Sequence, residues 1–153
     1  MKIQWKKLII CIAIALITGI VSASLTQNSM ESFASLNKPN LAPPGWLFPI
    51  VWNILYILMG IASYLVLISK KSNHNALIVY ITQLIFNFFW SIIFFNFKQY
   101  LFAFIWLILL WLLILKTIML FFQISKPASY LMYPYLLWIT FAGYLNLSIY
   151  LLN

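Results

Sequence analysis

Apolar residues occupy this chain in five long runs, at positions 8–25, 46–68, 76–95, 101–122 and 128–152. Each is close to the roughly 20 residues that carry a helix across the hydrocarbon core of a bilayer. Stretches such as LFAFIWLILLWLLIL (101–115) are continuously apolar. A membrane-barrel strand would instead alternate polar and apolar positions over about 10 residues. Backbone groups in hydrocarbon must bond within their own segment. The pattern therefore predicts an all-α integral membrane protein, a single five-transmembrane-helix bundle spanning residues 1–153.

Polar positions define the connectors. Three are short, near 70–75, 96–100 and 124–127, whereas the first runs over 26–45 and holds Glu31, Lys38, Pro39, Pro43 and Pro44. A connection of that length inside a compact bundle is usually functional or disordered. Its prolines stiffen it, and Pro44 before Trp46 suits the first turn of the next helix. The segment reads as a lid over the mouth of the bundle. No internal repeat is visible, which counts against an inverted-repeat transporter. The first span permits two readings. Lysines, an apolar run and Val21-Ser22-Ala23 resemble a cleavable secretory signal. Alternatively Ala15, Gly19 and Ala23 form a small-residue stripe for close helix packing.

Composition supports the membrane. Of the 153 residues 65% are hydrophobic and 7% charged, with Glu31 the single acid; a soluble domain carries about 25% charged residues. The net charge of +8 rests on lysines that flank the apolar runs, unlike the basic surface of a nucleic-acid reader, so no nucleic acid is expected as a partner. Lys2, Lys6, Lys7, Lys70, Lys71 and Lys126 fall on one side of the bilayer, and Lys116 can snorkel toward it. Lys38 and Lys98 fall on the other. Lysine asymmetry places the N-terminus in the cytoplasm and the 26–45 segment outside. Cys11 is the one cysteine, so no disulfide framework exists.

Little conventional chemistry is available. No Asp, Glu, Arg or His lies within a span, although proton relays and ion-coupled pumps rely on such groups. His74 stands alone in a loop, which leaves no metal cluster and poor support for haem ligation. No nucleophile–base pair can be assembled, and no cofactor is expected. Aromatic and carboxamide residues remain, at helical spacing. Trp52, Tyr56, Met59 and Ser63 share one face of the second span. Gln83, Asn87, Trp90 and Phe94 do so on the third, and Tyr135, Trp138, Ala142 and Leu145 or Asn146 on the fifth. Each stripe could be plain bundle core, and Asn53, Asn87 and Asn146 could be interhelical hydrogen-bond partners. Together they also fit an apolar cavity with a few orienting groups, suited to a planar ligand stacking on Trp52, Trp90 and Trp138.

Three blocks carry a specific likeness: KPNLAPPGWLFPIVWNILYILMG (38–60), QLIFNFFWSIIFF (83–95) and PYLLWITFAGYLNLSIYLLN (134–153). In this order the chain resembles the translocator protein family, also called tryptophan-rich sensory proteins or peripheral benzodiazepine receptors. The likeness covers nearly the whole length and argues that the first span is retained. It implies a bacterial cell-membrane receptor or sensor for porphyrins, sterol-like molecules and benzodiazepine-type ligands. By motif, it implies that Trp52 and Asn87 meet a ligand's polar group while Tyr56, Trp90, Trp138, Ala142 and Leu145 line the apolar walls. Lys38, Pro39, Pro43 and Pro44 would form the lid. A transporter of tetrapyrroles is the alternative, as is a light-dependent porphyrin-degrading enzyme in which Trp138 would be the catalytic residue. A homodimer is a further partner implied. Two departures stand out. No Lys or Arg follows Tyr144 to complete the animal sterol pattern, although Leu58, Tyr64 and Lys70 fit its loose form. The small-residue spacing linked to dimers is missing from 76–95.

The lysine asymmetry makes a direct prediction. A reporter enzyme fused after Asn153 should be active outside the cytoplasm; a reporter active inside would reverse the orientation or change the number of spans.

Overall fold

The computed structural model describes residues 2–153. Among the described residues, five helices are long and apolar enough to cross a membrane. Helix α1 covers Trp5–Thr26, α3 Leu47–Leu67, α4 His74–Ser91, α5 Tyr100–Ile124 and α6 Lys126–Leu152, while the short α2 spans Met30–Ala34. The helices form a closed ring in which α1 packs on α3 and α4, α3 on α6, α6 on α5, and α5 back on α4. The ring's centre is filled by Tyr56, Met59, Gln83, Asn87 and Tyr135, all buried. The outward face is apolar as well: Ile10, Ile14, Ile17 and Ile20 of α1 are exposed, as expected where lipid replaces water.

Local chemistry sets the helix ends. Asn73 is extended, and its side chain accepts from the Asn75 N–H at 2.8 Å, capping α4. Ser125 alone separates α5 from α6 in an extended conformation (φ −151°, ψ 108°), with Pro127 in the first turn of α6. Ser129 then donates to the Ile118 carbonyl at 3.0 Å and pins the two helices together. At the other end of α4, Lys98 has φ 53° and the Gln99 N–H reaches back to the Ile93 carbonyl at 3.2 Å, a left-handed cap held here by a lysine rather than the usual glycine.

Three details differ from the sequence reading. The 26–45 segment is partly helical, because α1 runs to Thr26 and is followed by a 3₁₀ turn (Gln27–Ser29) and α2. Elements this short have no stability of their own and leave no periodic signal. The third span does not end as a uniform helix: Ile92–Asn96 widens into a π turn closed by the Phe97 N–H on the Ile92 carbonyl at 3.1 Å. The small-residue stripe of α1 is also shifted. Ala15 is buried but Ala23 is exposed, and Ser22 and Thr26 face inward in its place.

Glycine governs the closest helix approach. A Cβ on Gly19 would overlap the Tyr56 ring, and one on Gly60 would lie 2.5 Å from the Ile12 Cα. Each helix thus has a bare position facing a bulkier element of the other. Gly60→Ala should force α1 and α3 apart and destabilise the protein by about 1–3 kcal/mol. Gly45→Ala, with open space around it, should stay within about 0.5 kcal/mol of the parent. Thermal unfolding in detergent micelles compares the two, and equal midpoints would contradict the close approach.

Candidate functional site

Helical spacing brings the inward residues of α3, α4 and α6 to one level of the ring. The Tyr56 hydroxyl donates to Asn87 Oδ1 at 2.8 Å. Asn87 Nδ2 donates to the Tyr135 hydroxyl at 2.7 Å, which in turn donates to Gln83 Oε1 at 2.8 Å. Gln83 Nε2 ends the chain on Met59 Sδ at 3.7 Å. Each of these polar groups would be costly to bury alone, and linked they form one continuous seam between three helices. Trp52 lies over it, stacked on Tyr56 with ring centres 5.5 Å apart and edge-on to Tyr135 at 6.2 Å. Trp52, Tyr56 and Asn87 are therefore brought together.

Trp90 belongs to a neighbouring group. It stacks on Phe94 at 5.5 Å, and Phe94 meets Phe33 of α2 edge-on at 5.9 Å. The Trp90 indole donates to Asn146 Oδ1 at 3.1 Å, and Asn146 Nδ2 donates to the Tyr100 carbonyl at 2.8 Å. Ala142 and Leu145 are buried on the inner side of α6. Trp138 is half-buried and meets Phe48 edge-on at 5.8 Å. It lines an apolar cleft of about 470 Å³ between α3 and α6, with Val51, Ile54, Leu55, Leu58, Pro134, Leu137 and Phe141. Pro134 lies within α6, where it supplies no N–H to the preceding turn. The sequence-derived set is thus divided between an interior seam, an aromatic column under α2 and a cleft between α3 and α6.

The tryptophan N–H groups divide the same way. Trp90, Trp106 and Trp111 donate to Asn146, to the Phe86 carbonyl and to Thr140. Among the described residues, the indoles of Trp52 and Trp138 donate to no protein atom. These two rings therefore keep both an apolar face and an uncommitted donor, the combination that lets an aromatic side chain orient a ligand.

The lid is tied at its start and near its middle. Asn96 accepts from Ser29 Oγ at 2.8 Å and donates to the Leu25 carbonyl at 3.0 Å. Asn153 accepts from the Asn37 N–H at 3.1 Å and donates to the Asn37 carbonyl at 2.9 Å. Beyond the second tie, the Ala42 N–H bonds the Pro39 carbonyl at 3.0 Å and the Leu47 N–H bonds the Pro44 carbonyl at 3.1 Å. Pro43 is half-buried within this stretch. Lys38 is turned inward on the lid itself, its ammonium 3.2 Å from the Ala34 carbonyl and 4.6 Å from the Phe33 ring centre. Asn53 is exposed and makes no interhelical bond.

Gln83 and Tyr135 complete the buried seam but were not among the sequence-derived site residues, although both stood on the stripes. A polar group at mid-span requires a partner, and that requirement was the available signal. Phe33 and Phe48 gave none, since nothing in their local sequence sets them apart.

The TspO/MBR family profile matches residues 9–152. Tryptophan-rich protein TspO of Chlorobaculum tepidum is 40% identical over 100% of this chain and 99% of its own length. Tryptophan-rich protein TspO of Archaeoglobus fulgidus is 38% identical, covering 96% and 97%. The translocator protein of Bos taurus is 35% identical, covering 84% of this chain and 79% of its own.

The seam can be tested by a double-mutant cycle. Tyr56→Phe and Asn87→Leu, alone and together, should show a coupling of about 0.6–1.7 kcal/mol in unfolding free energy, the range for hydrogen bonds between membrane helices. Strict additivity would mean that the two side chains do not interact in the folded protein.

Proposed function

The chain belongs to the TspO/MBR family, and on that premise we propose that it is a membrane receptor or sensor for porphyrins and related planar apolar ligands. One observation carries the reading. The two half-buried tryptophans with uncommitted N–H donors, Trp52 and Trp138, stand at the seam and at the α3/α6 cleft. A macrocycle would stack on these rings and place a polar edge against their N–H groups, while Asn87, bonded to Tyr56 and Tyr135, holds the seam beneath them. Tyr56 forms the floor, and Trp90, Ala142 and Leu145 support the walls. The lid closes from the side that lysine counting assigns to the exterior, in a bacterial cell membrane with the N-terminus cytoplasmic.

Binding of this kind would use burial and stacking rather than ligation of a central metal. His74 is exposed at the start of α4, at the end of the bundle away from the lid. Lys38 is engaged with Ala34 and Phe33. Propionate groups would therefore be met by water or by a reoriented Lys38 at the lid.

The translocator name of several relatives supports a second reading, in which the α3/α6 cleft passes ligand to and from lipid. Sealed vesicles separate the two: a receptor gives saturable binding without net flux, and a transporter gives flux. A light-driven chemistry at Trp138 would produce a new absorbing product that Trp138→Phe abolishes.

Titration followed by tryptophan fluorescence tests the leading reading. Trp138→Ala should weaken protoporphyrin binding more than Lys38→Ala. Stacking on an aromatic contributes about 0.5–1.5 kcal/mol beyond burial, whereas an accessible ion pair contributes about 0–1 kcal/mol. Haem and free-base protoporphyrin should bind within about tenfold of each other, or about 1.4 kcal/mol. A strong preference for the iron form, lost in His74→Ala, would contradict the proposal.

A further inference from the structure

The end of the bundle opposite the lid collects positive charge with nothing in the chain to balance it. Lys6 and Lys7 lie in the first turn of α1, Lys70 and Lys71 just beyond α3, and Lys126 begins α6; all are exposed. The Gln4 N–H donates to the Tyr64 hydroxyl at 2.9 Å. That bond fastens the start of α1 to the last turn of α3 and draws two lysine pairs together. The chain's single acid, Glu31, is in α2 at the lid end.

The side-chain ammonium groups behave differently at the two ends. At the lid end Lys38 and Lys98 reach the Ala34 carbonyl and Ser32 Oγ. At the lysine end, none of the five ammonium groups bonds a protein oxygen among the described residues, and Lys126 alone has a partner, the Phe122 ring. Helix direction adds to the charge. The N-termini of α1, α4 and α6 meet this end against the C-termini of α3 and α5, and those of α1 and α6 lack a side-chain cap. Each N-terminus presents a partial positive charge and free N–H donors. Topogenic lysines alone need no such convergence.

We propose that this end of the bundle is a docking surface for anionic phospholipid. Phosphate headgroups would seat at the seam between the start of α1 and the α3–α4 connection. The position favours lipid over a soluble partner, because all five lysines lie within a few residues of a membrane-spanning helix and so at headgroup depth. Trp5, largely exposed beside Lys6, is suited to the same interfacial layer. The anion would complete the charge balance that the sequence omits.

The test uses the full chain in mixed detergent–lipid micelles, where membrane orientation does not enter. Spin-labelled phosphatidylglycerol and phosphatidylcholine report relative association constants. An anionic surface strengthens association about fivefold per lysine within reach, so selectivity for phosphatidylglycerol should be at least about tenfold. It should fall to near unity in a variant combining Lys6→Gln, Lys7→Gln, Lys70→Gln and Lys71→Gln. The matching arginine variant should retain it, as should Lys38→Gln with Lys98→Gln at the other end. Millimolar glycerol phosphate should fail to displace the labelled lipid. Absence of selectivity in the parent, selectivity that survives the four glutamines, or ready displacement by free phosphate would each overturn the proposal.

Discussion

A polar side chain placed in hydrocarbon must find its partner inside the protein, and the interior of this bundle is arranged around that requirement. Asn87 has two donors and an acceptor within α4, and it is buried. Tyr56 from α3 and Tyr135 from α6 meet it at 2.8 and 2.7 Å, and Gln83 takes the remaining tyrosine proton. Three helices are thereby fixed in rotation, because turning any one would strand a polar group in apolar surroundings. Gly19 extends the constraint to α1: its missing side chain leaves room for the Tyr56 ring that reaches Asn87. Packing and polar satisfaction thus rest on the same residue.

The position of the aromatic surfaces follows from this seam. Trp52 is one turn before Tyr56 and stacks on it, so its indole is placed by the same hydrogen bonds that orient the tyrosine. On α6, Trp138 is one turn beyond Tyr135 and turns toward the α3/α6 cleft. The lid is held by carboxamides at the ends of the third and fifth spans. Asn96 grips Leu25 and Ser29, and Asn153 grips Asn37. Phe33 seats on Phe94 and Phe95 between them. Proline stiffness is accordingly one part of the lid's order, and side-chain bonding to the ends of α4 and α6 is the other.

Sequence patterning made the five long apolar helices readable, since continuous apolar runs and lysine flanks are strong signals. The stripes on α3, α4 and α6 were readable for the same reason: polar residues at helical spacing must face inward. What the pattern could not convey was pairing. Nothing in VWNILY or FNFFWS states that Asn87 is shared by Tyr56 and Tyr135, or that the Trp90 donor is already committed to Asn146. Such bonds join residues 31 to 56 positions apart and emerge only from the helix arrangement. The π turn at Ile92–Asn96 was hidden as well, because nothing in the IIFFN segment sets it apart from an ordinary helix end.

The central claim is that a planar ligand rests on Trp52 and Trp138 rather than dissolving in the surrounding lipid. Fluorine NMR of the fluorotryptophan-labelled protein addresses it directly, with the seven tryptophan signals assigned by single Trp→Phe variants. Saturating protoporphyrin should impose large ring-current shifts on the Trp52 and Trp138 signals, a smaller change on Trp90, and leave Trp5 and Trp111 in place. Uniform small shifts across all seven signals, or the largest shifts at the exposed Trp5 and Trp46, would contradict the account.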